Sequence, residues 1–169
     1  MHNIDTAFAQ LEFAIKLMHA AEHGAVHLDD IDIPLTIEDG GSVLVLPDKL
    51  FRSPEDFINA CQNNVSIAFG AAAITLNRCR EEASRCLPDP ITTEHEQWIA
   101  LVYQIRNAFA HDVSKPRWSI KRRYARCYDI GGIHANLTKR HDLHFEYVHI
   151  GGADTLFRLR DYARSRIFF

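Results

Sequence analysis

The chain has 169 residues, of which 47% are hydrophobic and 24% charged, with a formal net charge of −3. One domain's worth of chain with this ordinary composition is expected to bury a core without disulfide staples, and a single domain over residues 1–169 is predicted. No apolar run approaches the ~20 residues needed to span a membrane, so a membrane partner is not expected.

The charge is uneven along the chain. Residues 1–112 carry 7 Lys and Arg against 17 Asp and Glu, a net of −10, whereas residues 113–169 carry 12 against 5, a net of +7. Such asymmetry points to a polyanion, to self-association, or to two halves that pair within one fold. The start, "MHNIDTAFAQLEFAIK", has no basic opening and places Asp5 and Glu12 in its apolar pattern, unlike a signal peptide. Cys61, Cys79, Cys86 and Cys127 form no C-x-x-C pair. A reduced, cytoplasmic protein is the simplest expectation.

Ile4, Phe8, Leu11, Ile15 and Met18 recur at spacings of four and three, which predicts a helix from about Asp5 to His23, stopped by Gly24. Residues 27–53 break this rhythm. Within them, "PLTIEDGGSVLVLP" predicts a small hairpin over 35–47 with its turn at Glu38 to Gly41. A second helix opens at Ser53-Pro54-Glu55-Asp56, with a cap, a first-position proline and two acids at the positive end of the dipole. Its apolar spacing predicts an extent to Cys86. A third helix follows "LPDPITTEH", capped by Thr92 or Thr93 with Glu96 in the first turn. Trp98, Leu101, Val102, Ile105 and Phe109 form its apolar face.

Beyond this helix "RWSIKRRYARCYDI" and "LHFEYVHI" are rich in aromatic and β-branched residues and predict a short antiparallel β excursion. The pairs of glycines at 40–41, 131–132 and 151–152 read as turns. A final helix is expected after Asp154. The fold class is therefore mainly α, a helical bundle with a small β element after the third helix.

The chemistry concentrates in "QIRNAFAHD", residues 104–112. On a continuous helix Asn107 and His111 share one face, and the long side chain of Arg106 reaches the same spot if the last turn unwinds before Pro116. His moves protons near neutral pH, Arg grips phosphate oxygens, and Asn orients a hydroxyl or an imidazole. That set suits RNA cleavage by the RNA's own 2′-hydroxyl, with neither a metal nor any other cofactor. The plainer reading is a helix C-terminus whose Arg and His bond the last carbonyls.

"IRNAFAH" resembles the R-N-x-x-x-H signature of the HEPN (higher eukaryotes and prokaryotes nucleotide-binding) family, with Arg106, Asn107 and His111 in its motif positions. "AHDVSKPRW" extends the likeness to a plasmid-associated bacterial branch. The recognisable residues are 105–118; the architectural likeness covers about 5–130, without the insert at 35–47. The resemblance implies an antiparallel helical bundle and a metal-independent endoribonuclease that leaves a cyclic phosphate and a 5′-hydroxyl. It implies a homodimer with two motifs at one shared cleft, and work in a toxin or defence system, where an antitoxin protein is a partner. Other members are inactive and only bind nucleotide or a protein.

The segment "KPRWSIKRRYARCY" interleaves basic and aromatic residues directly after the motif. Lys115, Arg117, Trp118, Lys121, Arg122 and Arg123 are its candidate RNA contacts, cations for phosphates and a ring for a base. The competing reading is a strand with a buried aromatic face and a solvated basic one. His134, His141, His144 and His149 lack the spacing of a zinc site, and no metal is expected.

Overall fold

The computed structural model describes residues 2–46 and 49–166. The protein is mainly α, with two small antiparallel sheets. It divides into two compact units: residues 12–65 form one, and residues 1–11 with 66–169 form the other.

The first helix, α1 (His2–Glu22), closes as expected at Gly24, which takes a φ of +67° and donates its N–H to the Ala21 carbonyl. In the smaller unit Ala21, Phe57 and Cys61 form the core, with Leu17, Met18, Val26, Leu28, Phe51 and Ile58 packed around them. A one-turn helix, α2 (Leu28–Ile31), was not expected from the sequence. The carboxylate of Asp32 then accepts the N–H groups of Leu50 (2.8 Å) and Phe51 (3.2 Å), tying together the two ends of the excursion.

Between those ends lie β1 (Leu35–Asp39) and β2 (Ser42–Leu46), paired in register from Leu35·Leu46 to Asp39·Ser42. Gly40 and Gly41 both have positive φ, as a two-residue hairpin turn demands, so the turn sits one residue later than predicted. Pro47, the last residue of the predicted hairpin, lies outside the described residues. Leu35, Ile37, Leu44 and Leu46 share one face of this hairpin, and all four are exposed.

Ser53 caps α3 (Pro54–Glu82) by accepting the Asp56 N–H at 3.2 Å. The helix ends four residues before the predicted Cys86. Ser84 turns into the left-handed region at φ 54°, and Arg85 donates its N–H back to the Arg80 carbonyl. The buried Arg80 guanidinium holds that turn by donating to the Asn77 amide oxygen (3.0 Å) and to the Arg85 carbonyl. Serine rarely serves as this stop, which is why the sequence concealed it.

In the larger unit α4 (Glu94–Phe109) is the central element, with nine buried side chains. Thr93 is its cap: Thr93 Oγ1 accepts the Glu96 N–H, while the Glu96 carboxylate accepts the N–H groups of Thr92 and Thr93, each at 2.7 Å. Against it lies a hairpin of β3 (Cys127–Ile130) and β4 (Ile133–Asn136), joined at Gly131-Gly132. Its inner face buries Tyr128, Ile130, Ile133 and Ala135. Gln97 and Glu94 of α4 accept the N–H groups of Asp129 and Gly131, seating the hairpin on the helix's first turn.

The antiparallel β element expected after α4 thus exists. The first aromatic-rich segment supplies β3, the second supplies no strand of that hairpin, and the two meet at an antiparallel bridge between Arg117 and His144. Arg122–Tyr124 make a 3-10 turn, "LHFEYVHI" contributes one bridge at His144 and a 3-10 turn at Tyr147–Ile150, and the glycine pair is itself the hairpin loop. The last helix, α5 (Thr155–Arg166), begins after Asp154, whose carbonyl accepts the Arg158 N–H. The Trp98 indole joins α4 to α5 through a 2.8 Å bond to the Leu159 carbonyl.

Candidate active site at the end of the fourth helix

Gly70 lets α3 and α4 meet closely: a Cβ there would stand 2.7 Å from the Phe109 ring. Phe109 is the last residue of α4 and opens an aromatic cluster, 5.5 Å from Phe69 and 4.9 Å from Phe145, with Trp118 5.2 Å from Phe145. This cluster is the floor on which the chain after the helix is laid.

Ala110 is the helix cap, so His111 lies just beyond the helix rather than on its last turn. The carboxylate of Asp112 then shapes a tight turn by accepting Ser114 N–H (2.8 Å), Ser114 O–H (2.7 Å) and Lys115 N–H (3.0 Å). These bonds, led by the Ser114 hydroxyl, hold the Asp112 carboxyl below its ordinary pKa. Ser66 of α3 donates to the Val113 carbonyl, and Arg117 N–H returns to the Ala108 carbonyl at 3.0 Å. The chain next pairs with residues 142–145: Trp118 N–H to Leu143, Asp142 N–H to Trp118, and Phe145 N–H to Pro116, each 2.9 Å.

These connections enclose an open pocket of about 450 Å³ lined by Ala108, His111, Asp112, Lys115, Arg117, Trp118, Ser119, Asp142 and His144. His111, Lys115 and Arg117 therefore converge. The Arg117 guanidinium donates to the Asp142 carbonyl (3.0 Å) and to His144 Nε2 (2.9 Å).

Arg106 and Asn107 are not among the residues lining this pocket. Both are half-buried, and the Arg106 guanidinium donates to the Asn107 amide oxygen at 3.1 Å. The amide oxygen of Asn107 thus addresses its neighbour rather than the His111 ring.

Among the candidate RNA contacts, Trp118 is corrected to a core residue. It is 1% exposed and its indole N–H is bonded to His149, so its face is closed to a base. Arg123 is engaged with Asp89 at 2.8 Å and lies over the Tyr124 ring. Lys121, at the cap of the 3-10 turn, and Arg122, its first residue, are exposed and lie on no strand face.

The sequence did not single out Asp142, Ser119 or Asp112, and weighed His144 only as a metal ligand. No signal local to the motif marks a residue that returns from 33 positions further along. Among the described residues no group of three or more His, Cys, Asp and Glu is placed to hold a metal ion, and no helix is long and apolar enough to cross a membrane. His141 instead accepts the Ile120 N–H through Nδ1 (3.1 Å), and His149 accepts from Trp118. No protein-family model matches the chain, and no curated protein or solved structure matches it either.

Proposed function

We propose that the chain is a metal-independent endoribonuclease of the HEPN type, acting in the cytoplasm as part of a toxin or defence system. The observation that carries this reading is the pocket just past α4, where the motif histidine His111 stands with Lys115 and Arg117. An imidazole beside two cations suits transphosphorylation of RNA. The base removes the 2′-hydroxyl proton, the 2′-oxygen bonds to phosphorus, and the 5′-oxygen leaves with a proton. A cyclic phosphate and a 5′-hydroxyl remain. The cations stabilise the charge growing on the phosphate oxygens. Arg106 and Asn107 belong to this proposal through the motif resemblance.

A homodimer sharing one cleft is part of the same reading, as is an antitoxin partner. The dimer rests on the resemblance. The small residues Ala68, Ala72 and Ala73 of α3 and the apolar face of α4 are buried within the chain's own core.

The second reading is a non-catalytic HEPN module that binds nucleotide or a protein. The Arg106–Asn107 bond favours it, since it engages two motif residues with each other away from the His111 pocket. Incubation of purified protein with a long RNA, followed by end-group analysis of the fragments, separates the two. Cyclic-phosphate ends produced by wild type and lost in His111→Ala support the nuclease. An inert wild type that still binds nucleotide supports the module.

A further inference from the structure

Arg117 is better placed for an anion than the motif arginine, and the reason lies in a segment far along the chain. Its backbone is pinned by the bond to the Ala108 carbonyl and by the bridge to His144. Its guanidinium is pinned separately, one edge on the Asp142 carbonyl and the other on His144 Nε2. A guanidinium can only donate, so Nε2 of His144 accepts and the neutral ring carries its proton on Nδ1. A fork held at two points loses little further freedom when it meets a ligand, and N–H groups remain for that ligand.

The pocket's two carboxylates are each engaged with other groups of the protein. Asp112 is turned into its own Ser114–Lys115 turn. The Asp142 side chain is 84% exposed and lies 3.5 Å from His141. That leaves Arg117, Lys115 and His111 as the groups offered to an anion in the pocket.

We propose that this pocket is a phosphate-binding subsite completed within one chain. Arg117 contacts the phosphate, and His144 with the Asp142 carbonyl acts as the positioning pair for that arginine. The ligand class is a phosphate mono- or diester, including a nucleotide. The inference deepens the nuclease reading, and its value for catalysis rests on that reading. It assigns the phosphate grip to Arg117 rather than to Arg106, and needs no second copy of the chain.

The test is a titration of the full chain with inorganic phosphate and with adenosine 3′-monophosphate, followed through the imidazole resonances of His111 and His144. Saturable shifts of both rings are expected. Arg117→Ala weakens both ligands about ten- to a hundredfold, the scale of a lost charge-assisted hydrogen bond. His144→Ala weakens them less, and His144→Gln restores affinity because its amide oxygen again accepts from Arg117. Arg106→Ala leaves affinity unchanged. Arg117 and His144 are both exposed, so the variants are expected to fold. Absent binding, or binding indifferent to Arg117→Ala, overturns the subsite. If His111-dependent RNA cleavage persists in that case, the nuclease reading survives without it. Phosphate binding with the expected variant pattern but no cleavage sustains the subsite and removes the nuclease.

Discussion

Trp118 donates its indole N–H to Nδ1 of His149 at 3.0 Å, and both side chains are almost wholly buried. The Glu146 N–H reaches the same nitrogen at 3.2 Å, so Nδ1 accepts and the ring is the neutral form protonated at Nε2. This bond anchors the segment that carries Arg117 to the turn that follows His144. Trp118→Phe keeps the ring and removes the donor. It should cost about 1–3 kcal/mol in urea unfolding, the scale of a lost bond that strands a buried acceptor. It should leave RNA affinity unchanged, because the indole offers no face to a base. A clear loss of RNA affinity with no loss of stability would restore Trp118 as a contact.

The same histidine predicts an acid response. Burial is the main cause that pushes the His149 pKa below its ordinary 6.5, with Arg140 adding to it. Below 6.5 the unfolded chain therefore binds a proton that the folded chain refuses. Stability from this group is complete above 6.5 and declines as pH falls below it. Protonation at Nδ1 would also break both bonds it accepts. Unfolding midpoints measured from pH 8 to 5 should fall, and His149→Gln should flatten that part of the curve.

A second, lower window belongs to Glu96. The Thr92 hydroxyl, then the backbone N–H groups of Thr93 and Thr92, lower its pKa from 4.5 to about 2. Its stabilising effect is present above 4.5 and disappears as pH falls towards 2. Glu96→Gln should reduce this lower slope, with the Asp112 share remaining, and leave the one above pH 5. Helicity measured against pH in both variants separates the two groups.

Gly70 makes a prediction about packing. The Cβ of an alanine would sit 2.7 Å from Phe109 Cδ1 and 3.3 Å from Phe109 Cβ. Phe109 is fully buried against Phe69 and Phe145 and has little room to move away. Gly70→Ala should destabilise by about 1–3 kcal/mol despite alanine's better helix propensity, as overpacking usually does. An unchanged or raised melting temperature would show that the two helices part easily.

The sequence disclosed what is written locally. Spacing of Ile4, Phe8 and Leu11 exposed α1, the Thr93–Glu96 pair exposed the start of α4, and Gly40-Gly41 exposed the first hairpin. It concealed what depends on distant partners. Ser84 ends α3 because the Arg80 guanidinium holds the turn, and no glycine announces it. Trp118 looked like a stacking ring because alternation cannot tell which aromatic is under the aromatic cluster. The candidate site was half legible for the same reason. His111, Lys115 and Arg117 are close in sequence, but Asp142 and His144 join them only through backbone pairing across 24 or more residues.

The catalytic prediction sets Arg117 against Arg106. If His111 transfers protons in RNA cleavage, His111→Ala should lower the rate about 10²–10⁴-fold, the usual scale for a general acid–base group. The loss should fall on kcat, since the ring moves a proton in the transition state and adds little to ground-state binding. Arg117→Ala should cost about 10²-fold or more if its fork stabilises charge growing on the phosphate. Because it also binds the ground state, its loss should appear in KM as well as kcat. Arg106→Ala reports on the motif. A comparable fall in kcat from Arg106→Ala at unchanged phosphate affinity would place that arginine on the reacting group, supplied from outside the His111 pocket. A negligible fall would leave Arg117 as the arginine that matters. EDTA should change none of these rates. Single-turnover cleavage by wild type and the three variants, at two salt concentrations, measures all of this together. Activity that survives His111→Ala, or that EDTA abolishes, would end the mechanism.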